Sequence, residues 1–104
     1  MTESHLVFWI ITLVSLALGV NYLESSPRLA LQYLTSAEIA CREGDPLLPI
    51  IQYYLSQVKL KSGAYQEAIA LASKLLEKDR GTYWGRLLYS TIIEAAYGAG
   101  DNEK

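Results

Sequence analysis

Between Leu6 and Leu23 the chain reads LVFWIITLVSLALGVNYL, a run of 18 residues without a charged side chain, and no other stretch restricts the fold as strongly. As a helix rising about 1.5 Å per residue it reaches roughly 27 Å, close to the hydrocarbon thickness of a bilayer. Trp9 and Tyr22 stand towards its two ends, where amphipathic rings suit a membrane interface. The run is therefore expected to be an N-terminal transmembrane helix, an anchor over residues 1–24 that meets the bilayer through 6–23. Three other readings fit less well. A cleavable signal peptide needs a basic start, and Met1 to His5 holds no Lys or Arg, although Ala17-Leu18-Gly19 would pass as a weak cleavage site. A core helix buried on every side needs more surrounding protein than 104 residues supply. A lipoprotein needs its cysteine beside the apolar run, and Cys41 lies well beyond it.

The remainder suffices for one small domain, residues 25–100, with a polar tail at 101–104. Its 9 basic and 11 acidic residues are interspersed, so no basic stripe of the kind a nucleic-acid partner requires is present. A single cysteine forms no intramolecular disulfide, and Cys41 is most simply a small buried group. Eight tyrosines are the one compositional excess, and this side chain, apolar along its body and polar at its tip, is favoured at interfaces.

Apolar spacing predicts four helices after the anchor. Ser25-Ser26-Pro27 supplies an N-cap and a first-turn proline for a stripe of Ala30, Leu34, Ala37 and Cys41 that ends at Gly44-Asp45-Pro46. A second stripe, Leu48, Ile51, Leu55 and Val58, starts with Pro49 and stops at Lys61-Ser62-Gly63, where Gly63 is placed to take a left-handed C-cap. Tyr65, Ala68, Ile69, Ala72, Leu75 and Leu76 form a third stripe, ending at Asp79-Arg80-Gly81. The fourth starts at Thr82 as N-cap, carries Trp84, Leu87, Leu88, Thr91, Ile92 and Ala95, and is expected to end at Gly98 and Gly100. No stretch alternates with period two long enough for a strand, so the fold class is all-α: a transmembrane helix followed by a four-helix antiparallel array.

The centre of the chain adds a repeat signature. Leu55-Ser56, Gly63-x-Tyr65 and Glu67-Ala68-Ile69 stand in register with the tetratricopeptide repeat, and residues 49–80 resemble one full repeat of that family. Gly63 makes the turn between helices A and B, and Ala68 is small enough to let them approach. The family's aromatic positions fall on Lys59 and Ala72, and its terminal proline on Arg80. Asp45-Pro46 resembles the end of a preceding B helix, and Gly100-Asp101-x-Glu103-Lys104 the turn after a following A helix.

The resemblance implies a protein-interaction surface lined by A helices. By position, the resemblance places Ile50, Tyr53, Tyr54, Gln57 and Lys61, with Leu87, Ser90, Thr91 and Glu94, on that groove. Lys61 is the only cation among them, so the carboxylate clamp of some family members is not expected; a mixed apolar and hydrogen-bonding surface is. Because the array normally needs a polar cap, Trp84, Leu88 and Ile92 of the last helix are expected to be partly uncovered and to dock on a partner protein or a second copy.

Nothing in the sequence suggests an enzyme, a metal site or a cofactor. His5 sits beside the anchor, Cys41 has no histidine near it in sequence, and no glycine loop suits a phosphate. The expected role is a membrane-anchored adaptor or assembly factor for a membrane protein complex. The alternative is a permanent small subunit of such a complex, its anchor packed against larger subunits with Ser15 and Gly19 on one face. Arg28 and Arg42 follow the run and no basic residue precedes it, so the positive-inside rule leans towards a cytoplasmic repeat domain.

Overall fold

The computed structural model describes residues 2–42, 44–79 and 83–103 and contains five helices: α1 (Thr2–Tyr22), α2 (Pro27–Ala40), α3 (Leu48–Lys61), α4 (Tyr65–Asp79) and α5 (Tyr83–Glu103). No strand occurs among the described residues, in keeping with the all-α expectation. The helices follow one another in a slab of 55 × 31 × 16 Å, each packed against the next, with α3 also against α5.

The helix ends follow local chemistry. The Ser26 hydroxyl accepts a hydrogen bond from the Leu29 N–H at 3.4 Å and Pro27 occupies the first turn, where its missing N–H leaves no gap in the ladder. After α2, Gly44 adopts φ 85°, and the Asp45 carboxylate accepts from the Leu47 N–H at 2.9 Å to start α3. At the other end of α3, Gly63 has φ 80°. The Ala64 N–H reaches the Lys59 carbonyl at 2.9 Å and the Gly63 N–H reaches Leu60 at 3.1 Å, the Schellman pattern that satisfies the last carbonyls of a helix. The turn expected at Arg80-Gly81 and the N-cap expected at Thr82 lie outside the described residues.

Two clusters hold the slab together. Leu23, Ala30, Leu34, Ala37, Ile51, Leu55 and Val58 form one, joining the C-terminal end of α1 to α2 and α3. Ala72, Leu75, Leu76 and Leu88 form the other, joining α4 to α5.

Three expectations are revised. The span expected over residues 6–23 is not met: among the described residues no helix is long and apolar enough to cross a membrane. Instead α1 runs antiparallel to α2, with Tyr22 stacked on Tyr33 at 5.7 Å, Gly19 against Leu34, and Phe8 under the Arg42 guanidinium at 5.9 Å. A Cβ at Gly19 would stand 2.6 Å from Leu34 Cγ and 3.3 Å from its backbone nitrogen, so the glycine lets the two helices close. The Ser15/Gly19 face proposed for larger subunits is thus filled, at Gly19, from within the chain.

Secondly, α5 does not stop at Gly98 and Gly100 but continues to Glu103, so the polar tail and the turn expected from Gly100 onward are helical as far as that residue. The room that Gly98 leaves is taken by the Tyr65 ring, 2.6 Å from where a Cβ would sit. A helical glycine costs about 1 kcal/mol relative to alanine, which such a contact offsets. Thirdly, Leu88 is buried in the α4/α5 cluster rather than uncovered.

Candidate partner-binding face

Helices α3 and α5 lie side by side with their contacts advancing in the same sense, Tyr53 to Trp84 and Gln57 to Thr91. The Gln57 amide donates to the Thr91 hydroxyl at 2.7 Å, and that hydroxyl donates to the Leu87 carbonyl at 3.1 Å. Thr91 is fully buried, so this pair is a seam between helices. The expectation that Thr91 faces an open groove is therefore corrected, and Gln57 lies half-buried with its amide engaged.

Around this seam the other expected positions form a band. Ile50, Tyr53, Tyr54 and Leu87 are half-buried; Ser90, Glu94 and Lys61 are exposed. Adjacent side chains on a helix diverge by about 100°, and the two tyrosines accordingly reach different neighbours. Tyr54 leans on the α1–α3 cluster and Tyr53 on the α4/α5 cluster. Their rings meet edge to face at 5.1 Å, and the row continues from Tyr53 to Trp84 at 5.9 Å and from Trp84 to Tyr83 at 5.2 Å. Four aromatic rings thus bridge the two helices, with Tyr83 the most open at 66% exposure. The two outer contacts, Tyr53–Tyr54 and Tyr83–Trp84, place ring edges against ring faces, and the Tyr53–Trp84 contact between the helices is tilted at 44°.

The band's electrostatics are simple. Burial raises the Tyr53 phenol above its ordinary value, with Tyr54, Glu94 and Tyr83 adding to the rise, so it stays a neutral hydroxyl at physiological pH. Lys61, the one cation of the expected groove, lies 2.9 Å from Glu24 and so balances a charge of its own chain. Glu94 is left as the exposed charge of the band.

Of the three residues expected to be uncovered on the last helix, Leu88 is core, Ile92 packs partly on the same cluster, and Trp84 joins the aromatic row. The apolar stripe that α5 does present is Tyr89, Ile93 and Tyr97, spaced by four, with Ile93 67% exposed. The spacing is visible in the sequence; apolar residues on two sides of the helix hide which side is covered.

Among the described residues no group of three or more His, Cys, Asp or Glu is placed to hold a metal ion. Burial, with Asp45 and Glu38 nearby, raises the Cys41 thiol above its ordinary value, which keeps it protonated and slow as a nucleophile. The chain matches no protein-family model, no curated protein and no solved structure.

Proposed function

We propose that this chain is a helical-repeat interaction module attached to a bilayer through α1, acting as an adaptor or assembly factor for a membrane protein complex. The observation that carries the reading is the aromatic band across α3 and α5, a half-open surface flanked by exposed hydroxyl and carboxylate groups. The likeness to the tetratricopeptide repeat adds support. Gln57 and Thr91, which join the two parallel helices, are 34 residues apart, the period of that repeat. On this reading α3 and α5 are successive A helices, α4 is the B helix between them, and the α1/α2 pair forms the hairpin before them. The partner is a protein segment held on the band, and α1 keeps the module at a membrane.

Gentle detergent extraction of the tagged full-length chain, with sizing and mass spectrometry of its companions, tests this. Companions that remain with the native chain and are lost from Ser90→Arg combined with Glu94→Lys, at unchanged helicity, support it. Recovery alone, or the same companions with both chains, contradicts it. Substoichiometric, immature assemblies point to an adaptor or assembly factor, whereas a constant ratio points to the alternative of a permanent small subunit.

A further inference from the structure

Helix α1 has an outward side that its own chain leaves open. Val7, Ile10, Val14 and Ala17 recur at steps of three and four on the side opposite Thr12 and Gly19, and all four are exposed. Ile10 and Val14 are 51% and 52% exposed. The inward side is covered at Thr12, which is buried with its hydroxyl donating to the Phe8 carbonyl at 2.8 Å, and at Gly19, which lies against Leu34, while Phe8, one turn before Thr12, is open apart from the Arg42 guanidinium over its ring. A patch this apolar and continuous marks a surface that another phase or protein covers.

Charge placement indicates what covers it. The side chains from Leu6 to Val20 carry no charge, which matches hydrocarbon. At the N-terminal end of the apolar run Arg42 is exposed and held over the Phe8 ring at 5.9 Å, a cation of the kind that meets lipid phosphates. Glu24, which would oppose such a layer, is paired with Lys61. On the far side of α1, the exposed residues of α2 are Arg28, Gln32, Thr35, Ser36 and, as the apolar exception, Ile39. A spanning α1 still docked on α2 would draw Arg28, Gln32 and Glu38 into hydrocarbon, and an undocked one would strip the cover from Ala30, Leu34 and Ala37.

We propose that α1 is an in-plane anchor: it lies along a bilayer surface with Val7, Ile10, Val14 and Ala17 in the headgroup and acyl boundary, while its inner side stays on α2 and α2 stays in water. This rests on the proposed use of α1 as the bilayer-facing element and specifies how it is used.

The test uses the full chain with Trp9→Phe and Trp84→Phe, carrying in turn Val7→Trp, Val14→Trp or Ala17→Trp, all at exposed positions. Each is bound to phosphatidylcholine vesicles whose acyl chains are brominated at a shallow or a deep carbon. The in-plane anchor gives stronger quenching by the shallow bromine at all three positions, alike within about two-fold. A switch from shallow to deep quenching between Val7→Trp and Ala17→Trp, about 15 Å apart along a helix, overturns it in favour of a spanning helix. Absence of bromolipid quenching at all three positions also overturns it, and a dimer on sizing would then identify a second copy as the cover. Companion capture is read on the native chain, which keeps Trp84, so a shallow profile beside a native chain that captures no companion would leave the anchor standing and the interaction role refuted.

Discussion

The α1/α2 pair and the α4/α5 pair solve the same packing problem and then diverge on their outer surfaces. Each closes over a glycine, Gly19 beneath Leu34 in the first and Gly98 beneath the Tyr65 ring in the second. Each feeds a compact cluster of Leu and Ala. Yet the outward side of α1 is Val, Ile, Leu and Ala throughout its middle, whereas that of α5 alternates Arg86, Tyr89, Ser90, Ile93, Glu94 and Tyr97. Similar interior contacts thus leave two outer faces of different composition, uniformly apolar on α1 and mixed polar and aromatic on α5.

The largest expected effect is at the centre of the first pair. Leu34→Ala should cost about 2–5 kcal/mol in denaturant unfolding and speed amide exchange in both α1 and α2, while Leu88→Ala does the same for α4 and α5. If either substitution loosened all five helices equally, the division into two clusters would fail. The glycines should differ more sharply. Leu34 is fully buried and has nowhere to move, so Gly19→Ala should destabilise by about 1–3 kcal/mol through overpacking. Tyr65 is half-exposed and its ring can swing aside, so Gly98→Ala should change stability by less than about 1 kcal/mol, its improved helix propensity offsetting the lost contact. Equal costs at the two sites would contradict the comparison.

A smaller effect is expected at the seam that links the halves. Thr91→Val removes the acceptor of the Gln57 amide and should cost about 0.5–1.5 kcal/mol, with the coupling recovered in a double-mutant cycle with Gln57→Leu. The smallest concerns Cys41. Its thiol is held above the ordinary value chiefly by burial, with help from Asp45, so iodoacetamide should label it more slowly at pH 8 than it labels a free thiol, and Asp45→Asn should speed labelling. The sign carries over to stability. The unfolded thiol releases its proton at lower pH than the folded one, so raising the pH through the ordinary thiol range weakens the fold.

The sequence made the middle of the molecule legible and its two ends less so. Ser26-Pro27 and Gly63 are local signals with local causes, and the helices they bound begin and end where those causes act. Gly98 and Gly100 carry the same symbol as Gly63, but their helix continues, because the room at Gly98 is filled by a ring 33 positions away in sequence, Tyr65. In α1 the inner side that meets α2 cannot be picked out from a run that is apolar all round. Thr12 and Gly19 mark it only once Leu34 is known to lie opposite. The band on α3 and α5 was half legible: the residue types at Tyr53, Tyr54, Gln57 and Glu94 were visible, whereas the burial of Thr91 and the covering of Leu88 by α4 depend on how α5 rotates against two helices at once.

The central claim is that α1 belongs to the fold, sharing one cooperative unit with α2 while its other side faces a bilayer. Hydrogen exchange of the full chain in lipid nanodiscs measures this directly. The account predicts that the amides around Leu16 to Tyr22 and those around Ala30 to Ala37 are protected to a similar degree and lose protection together in Leu34→Ala. Strong protection of α1 beside rapid exchange throughout α2, unchanged by Leu34→Ala, would show α1 to be a separate anchor and contradict the account.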